Sequence, residues 1–427
     1  MRNFLYSIRP LLLLILLNVL GVFLVISNSS GDPRNVIILC SVMCAVSLII
    51  YTVITLCHLG DTYLFVIISM LCTVGIIMQM RIKPDNGIRQ MVLYLAGVVC
   101  FLVTLFLYRA LHKKLNKFTL VFWGTSIFLF VMTALIGTVH NGSKNWIQFG
   151  SLSVQPSEFI RILFVLSLSS IFTNAWKHSS KSVKLSAEMG KEARKLRQTR
   201  LLLAAFIAFS NAMCLFLQRE WGIALLFFAV YLSYLFVYGE SKLFLGANLL
   251  LVLFAAFIGV KYMSHIQVRV EAWLNPFADI SGKGYQIAQS LFAIGEGGFA
   301  GRGIGTGSPY FIPVVTSDFV FSAICEEMGV LGGVSVIMLY FLLVYRGFKI
   351  SLSTTNMYNK AVAMGLSVIL GVQTFIIVGG VVKLIPLTGI TLPFISYGGS
   401  SMLTTFMIMG ILQAISAVKG EVTDEIE

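Results

Sequence analysis

The chain has 427 residues, of which 57% are apolar and only 11% are charged, and its mean hydropathy is +0.89. This composition excludes an ordinary soluble globular protein. The formal net charge is +13, and it is explained largely by a few basic connecting segments. We therefore expect no nucleic-acid partner.

Twelve apolar runs are long enough to cross a bilayer as helices, which takes about 20 residues each. We therefore predict an all-α, polytopic membrane protein with about twelve transmembrane helices and a large extracytoplasmic loop before the tenth. The predicted spans lie near residues 10–27, 36–58, 62–80, 91–110, 117–137, 157–174, 200–218, 221–238, 242–262, 319–345, 360–382 and 399–418.

The basic connecting segments predict the orientation, because Lys and Arg near helix ends favour the cytoplasmic side. The two richest are 108–117 and 177–200, which fall on one side of the membrane if the N-terminus is inside. Both termini are then cytoplasmic. The loops 141–156, 263–318 and 383–398 face outward, and they hold most of the patterned polar residues.

The segment QPSEFIR opens the sixth predicted span and carries charge into it. Pro156 occupies a first helical position, and Glu158 and Arg161 lie three residues apart on one helical face. Two interpretations carry equal weight. The pair supports the helix entrance, or Arg161 binds an anionic, lipid-linked head group at the outer interface.

Three acidic residues enter the tenth predicted span. Asp318 lies near its start, where an acid also interacts favourably with the helix dipole. Glu326 and Glu327 lie about 12 Å deeper, where acidic groups are costly and seldom without function. The alternative is that they pair internally with a cation such as Arg219 or Arg269.

The last outward loop, KLIPLTGITLPFISYGGSS, contains two prolines and several glycines that interrupt regular helix. Gly398–Ser401 then opens the final apolar run, and free backbone N–H groups at such a helix start favour a phosphate. An ordinary serine cap is the more common arrangement, so both interpretations stay open.

In this order, four segments resemble the SEDS family (shape, elongation, division and sporulation). They are QPSEFIR, RVEAWLNPFADISGKGYQIAQSLFAIGEGGFAGRGIG, SDFVFSAICEEMG and LTGITLPFISYGGSS. The resemblance divides the chain into extra N-terminal transmembrane helices (1–84), a SEDS-like transmembrane glycosyltransferase domain (85–418) and a short cytoplasmic tail (419–427).

The resemblance implies a peptidoglycan glycosyltransferase that polymerises lipid II at the outer face of the bacterial cytoplasmic membrane. The family's essential carboxylate follows a W-x-x-P-x-x-D pattern, which falls on Asp279. Transfer of a glycan from a diphospholipid needs a base for the acceptor hydroxyl, whereas the diphosphate leaves without protonation. One carboxylate therefore suffices, unlike in glycoside hydrolysis.

Positions matching the family's motifs also imply the substrate-binding residues. Lys144 stands where the family usually has Arg before the loop tryptophan, and Arg161 where it usually has Lys; Lys283 is added because it lies four residues after Asp279. The predicted substrate-binding residues are Arg89, Lys144, Trp146, Glu158, Arg161, Arg269, Lys283, Gln286, Asp318, Glu326, Glu327, Ser396, Ser400 and Ser401.

No dedicated metal site is evident in the sequence, so no cofactor is predicted. Mg²⁺ or another divalent cation, held by the carboxylates, is the alternative to side-chain cations for the charge on the leaving diphosphate. The glycines between 295 and 307 would let a loop approach the glycan closely or move over it.

The sequence departs from the family pattern at several motifs. The family's QPDLGT reads QREWGI at 218–223, its HTDF reads TSDF at 316–319, and its GIPLPF reads GITLPF. The Asn expected in the eleventh span is missing from FIIVGGVVK. These differences indicate a divergent branch, and none removes Asp279.

Two other functions remain as alternatives. Interrupted helices and membrane-embedded acids also occur in transporters, which leaves a lipid II flippase open. The other is a non-catalytic membrane scaffold for a penicillin-binding protein. Family resemblance further implies a class B penicillin-binding protein as the cross-linking partner, together with proteins of a division or elongation complex.

Overall fold

The computed structural model describes residues 11–21, 23, 26, 33–140, 143–150, 152–182, 187–239 and 241–424. Its helices, in chain order, are α1 (Leu11–Gly21), α2 (Pro33–Leu56), α3 (Thr62–Ile82), α4 (Pro84–Leu115), α5 (Thr119–Ile136), α6 (Pro156–Ser182), α7 (Ala187–Leu217), α8 (Trp221–Tyr238), α9 (Lys242–Tyr262), α10 (Ser264–Leu274), α11 (Tyr285–Gly297), α12 (Val320–Ser353), α13 (Met357–Val381) and α14 (Gly399–Asp424).

Eleven helices within the described residues are long and apolar enough to cross a membrane. The predicted all-α, multi-pass membrane fold is confirmed. The first predicted span, 10–27, is represented by the shorter helix α1, and several residues of that range lie outside the described part. Helix α12 continues to Ser353, past the predicted end at 345, because apolar residues persist along its outer face.

Helix burial separates a central group from a peripheral one. In α3 and α6, 89% of the membrane span is buried inside the protein, whereas the figure is 11% for α9 and 17% for α5. Helices α4 and α14 approach closely through small residues. A Cβ added to Gly97 would lie 2.2 Å from the Phe406 ring, and one added to Gly410 would lie 2.5 Å from the Phe101 carbonyl oxygen.

A small antiparallel sheet lies between α5 and α6, where we predicted only a loop. Its strands are β1 (Thr138–His140), β2 (Ser143–Phe149) and β3 (Leu152–Val154), in the order β1-β2-β3. Short strands in polar, glycine-containing sequence give a weak periodic signal, which explains why the pattern did not predict them. The sheet carries Lys144 and Trp146 on its central strand.

The predicted loop 263–318 contains helices α10 and α11, a 3-10 turn (Pro309–Phe311) and the glycine-rich segment. Main-chain hydrogen bonds fasten that segment to α12, from Arg302 N to Glu326 O (3.0 Å) and from Gly303 N to Glu327 O (2.9 Å). Helix α12 is kinked at Gly329, where φ is 68°. These glycines therefore allow the backbone of the segment to pack closely against α12.

Candidate active site

Asp279 lies in the exposed turn between α10 and α11. Its Oδ2 accepts a hydrogen bond from the Lys283 backbone N–H at 3.0 Å. Its own carbonyl oxygen accepts from Gly282 N (3.2 Å) and Gly284 N (3.0 Å). The turn needs glycine at 284, because a Cβ there would lie 1.9 Å from the Pro276 carbonyl oxygen. The backbone thus holds one oxygen of the carboxylate, and the side chain is exposed.

Lys283 and Gln286 follow Asp279 in the chain, and both side chains are exposed. Lys283 Nζ pairs with Glu271 Oε2 at 3.0 Å, and the two side chains are 54% and 61% exposed. The pairing is thus with α10 instead of with Asp279. Such exposed ion pairs contribute little to stability, so the Lys283 ammonium group can turn toward an anionic ligand at small cost.

Arg269 and Asp318 meet across Gly389, close to the start of α12. A Cβ at Gly389 would lie 3.5 Å from Asp318 Oδ2 and 3.7 Å from Arg269 Nη2, and Arg269 Nη1 donates to the Leu387 carbonyl oxygen (2.9 Å). Partial burial raises the pKa of Asp318, opposed by Ser317 and Arg269. Burial lowers the pKa of Arg269, opposed by Asp318.

Ser396, Ser400 and Ser401 are all buried at the start of α14. Ser396 Oγ accepts from Leu392 N (2.9 Å) and donates to the Ser317 carbonyl oxygen (2.5 Å). Ser401 Oγ accepts from the Thr391 hydroxyl at 2.7 Å. Two of the three hydroxyls therefore hold the loop 383–398 in shape, and phosphate binding by these serines stays a prediction.

Glu158 and Arg161 form a buried ion pair, with 2.6 Å between Glu158 Oε2 and Arg161 Nη2. Arg161 Nη1 also donates to Gln373 Oε1 (2.6 Å), and its Nη2 donates to the Thr404 hydroxyl (2.8 Å). Gln373 Nε2 donates to the Thr391 carbonyl oxygen at 2.8 Å. The pair is therefore the centre of a polar network that ties α6, α13 and α14 to the loop 383–398.

Glu220, in the divergent QREWGI motif, is a buried acceptor that we did not predict as a site residue. Its Oε1 accepts from Asn145 Nδ2 and from Gln155 Nε2, each at 2.6 Å. Burial raises the pKa of Glu220 to about 7, even though hydrogen bonds from Ser157, Gln155 and Asn145 lower it. The motif thus anchors the sheet to the start of α8.

Lys144 and Trp146 lie on strand β2, beside this anchor. Lys144 Nζ donates to the carbonyl oxygens of Ala134 (2.6 Å) and Leu135 (3.3 Å), which belong to the last turn of α5. Trp146 is partly buried, and its carbonyl oxygen accepts from the Thr138 hydroxyl at 3.2 Å. Lys144 therefore caps a helix in this structure, and its predicted role toward substrate requires it to leave those carbonyls.

Glu326 and Glu327 are buried near the kink of α12. Glu327 Oε1 lies 3.1 Å from Arg81 Nε, so this residue pairs internally with a cation, and that cation is Arg81, not one of the two named examples. Glu326 Oε1 accepts from Ser308 N at 2.5 Å. Arg81 lies in the last turn of α3, close to α12 in space but far away in sequence, which is why the sequence did not single it out.

Arg89 is the remaining predicted cation, and it lies in α4 instead of a loop. Its side chain is exposed. Within the described part of the chain, no three His, Cys, Asp or Glu residues are grouped so as to hold a metal ion.

Three groups of the predicted residues are connected. The loop 383–398 joins the Arg161 network to the surface formed by Arg269 and Asp318, and α10 links that surface to the Asp279 turn. Sequence reasoning missed Arg81, Asn145, Glu220, Gln373 and Thr404. The one available signal was a polar residue inside an apolar run, as at Gln373 in ILGVQTFIIV.

Two relatives illustrate the similarity of this chain to known proteins. It is 35% identical over 379 residues to the peptidoglycan glycosyltransferase RodA of Mycobacterium tuberculosis, a match that covers 83% of this chain and 78% of that protein. It is 31% identical over 375 residues to the stage V sporulation protein E of Bacillus subtilis, a match that covers 83% of this chain and 96% of that protein.

Two solved structures share its fold. A chain of a peptidoglycan synthase complex matches with a TM-score of 0.69 and 24% identity over 84% of this chain and 98% of that one. The rod shape determining protein RodA of Thermus thermophilus matches with a TM-score of 0.58 and 24% identity, and the match covers 84% of this chain and 96% of that one. The family model described as "Cell cycle protein" matches residues 47–421, which begin within α2. The chain belongs to this family, that of the FtsW, RodA and SpoVE proteins.

Proposed function

We propose that this chain is a peptidoglycan glycosyltransferase that polymerises lipid II. The observation that carries the proposal is the exposed Asp279 carboxylate, held by its own turn at the motif position expected for the catalytic base. Relatives named peptidoglycan glycosyltransferase support the reaction class.

In the proposed step, Asp279 takes the proton from the acceptor sugar hydroxyl as that oxygen attacks the anomeric carbon of the donor. The new C–O bond forms while the bond from the anomeric carbon to the diphosphate oxygen breaks. The electron pair leaves with undecaprenyl diphosphate, whose added charge must be stabilised by nearby cations.

Lys283 and Arg269 are the proposed cations for that charge, because both lie on the α10 to α11 surface that carries Asp279. Lys283 can exchange its exposed partner Glu271 for a phosphate. Arg269 already faces an outward loop through the Leu387 carbonyl oxygen. Arg161, in contrast, is paired and buried, and we propose that it acts by positioning the loop 383–398.

A divalent cation remains part of the proposal as an alternative charge carrier. Polymerisation with Mg²⁺ or with a chelator decides between the two, because side-chain cations alone would leave the rate unchanged by the chelator.

We further propose that both termini are cytoplasmic, that the membrane is the bacterial cytoplasmic membrane, and that Asp279 faces outward. A class B penicillin-binding protein is the proposed partner, supported by the fold shared with a chain of a peptidoglycan synthase complex. The prediction of extra N-terminal helices in residues 1–84 belongs to this proposal as well.

The test is polymerisation of purified lipid II by the full chain with its partner, comparing wild type with Asp279→Asn. The matched control is Glu271→Gln, which removes another exposed carboxylate of the same surface. We expect glycan strands from wild type and control but not from Asp279→Asn. Strands from all three proteins would reject Asp279 as the base. Transfer of labelled lipid II across vesicles, without strands, would favour the flippase.

A further inference from the structure

An apolar groove of about 660 Å³ lies at one end of the bundle, between α8, α9, α12 and α13. Its volume is within the range of about 300–1,000 Å³ found for ligand sites. Phe236 and Leu352 line it and are 77% and 74% exposed, so the groove opens sideways from the protein. It lies between helices that are long and apolar enough to cross a membrane, so a bilayer around them would meet its open side.

Helix α9 forms one side of the groove and packs loosely, with only 11% of its span buried. Leu245 and Leu249 of α9 line one wall, and Met364 and Val368 of α13 line the opposite wall. Lys360, in the first turn of α13, is the only charged residue among the described residues that line it.

Two further lysines lie at the same end of these helices. Lys242 is the first residue of α9 and precedes Leu245 and Leu249 by three and seven positions, so it shares their helical face. Lys349 lies three residues before Leu352 on α12. Both side chains are exposed. Glu240, between α8 and α9, lies outside the described residues.

We propose that this groove binds one acyl chain of an anionic phospholipid, whose phosphate is held by Lys360 with Lys242 and Lys349. An apolar groove that opens sideways fits the acyl chain of a lipid, and three lysines at its end favour a negatively charged head group. The site is separate from the Asp279 turn, which lies at the opposite end of α9 and α12. The proposal therefore does not depend on the proposed reaction.

The test is native mass spectrometry of the delipidated full chain, titrated with dioleoyl phosphatidylglycerol or dioleoyl phosphatidylcholine. Replacing Lys242, Lys349 and Lys360 together by Gln should weaken binding of phosphatidylglycerol by roughly fivefold for each lysine. The neutral lipid should be little affected. The matched control replaces Lys113, Lys114 and Lys117, three exposed lysines at the end of α4, and should bind as wild type.

A second variant tests the apolar part of the site. Ser233→Phe fills the groove and should weaken binding of both lipids, whereas Ser335→Phe, on an exposed face of α12, should not. Equal binding by the lysine variant and its control would overturn the proposal. It would also be overturned if Ser233→Phe released a co-purifying membrane protein while lipid binding stayed unchanged, because a partner helix would then occupy the groove. If Ser233→Phe failed to fold, the lysine comparison would decide alone.

Discussion

Arg161 Nη2 lies 2.6 Å from Glu158 Oε2, and the Arg161 side chain is only 2% exposed. Two opposite charges in the bundle interior satisfy each other, and Gln373 and Thr404 accept further hydrogen bonds from the two terminal nitrogens of Arg161. Burying one unpaired charge costs far more free energy than burying the pair, so each residue stabilises the other in the interior.

Replacing Arg161 by Met should therefore destabilise the protein by about 3–5 kcal/mol, because it leaves Glu158 buried without its cation. The double variant Glu158→Gln, Arg161→Met should lose less than the sum of the single losses. The measurement is unfolding of the purified protein in detergent. The exposed pair Glu271 and Lys283 is the control, with an expected effect of about 0–1 kcal/mol. Equal losses for both pairs would contradict the prediction.

Glu220 should make stability depend on pH near neutrality. Its folded pKa is about 7 against an ordinary value of 4.5, so the folded state binds the proton more tightly than the unfolded state. The stabilisation from this proton is fully present below about pH 4.5 and is lost as pH rises through 7.

Glu220→Gln should consequently be as stable as wild type near pH 5 and gain relative to it by at most about 3 kcal/mol near pH 8. Thermal unfolding of both proteins across this range is the measurement. The Gln oxygen can still accept from Asn145 and Gln155, so the comparison isolates the charge. Parallel pH curves for the two proteins would show that Glu220 does not titrate there.

Gly329 should not tolerate a side chain. Its φ of 68° is strained for any other residue, and a Cβ would lie 2.4 Å from Gly301 N. Gly329→Ala should cost about 1–3 kcal/mol in strain alone and loosen the glycine-rich segment. Limited proteolysis within residues 298–307 checks this. Gly246→Ala is the control, since no atom lies within 4 Å of its added Cβ, and it should not increase cleavage.

Arg269→Gln should lower the initial rate of polymerisation by about 10²-fold if the guanidinium stabilises the leaving diphosphate. Arg269→Lys should recover part of that loss, because it restores the charge. Rates are measured with folded protein at saturating lipid II. If Arg269→Lys recovered none of the lost rate, Arg269 would instead act by holding the loop 383–398 in place.

The sequence alone determined the class of fold, because a bilayer imposes a length and an apolar composition that a single run of residues must meet by itself. It also singled out Asp279, whose motif is local. Only the tertiary structure decided which polar side chains from different elements meet. Residues from different helices meet in two pairs, Arg81 with Glu327 and Arg161 with Gln373. Glu220 contacts Asn145 on a small sheet that the periodicity of the sequence did not predict. Such partners depend on how the helices pack. Helix packing brings together residues that are far apart in the chain, and their separation in sequence does not predict their distance in space.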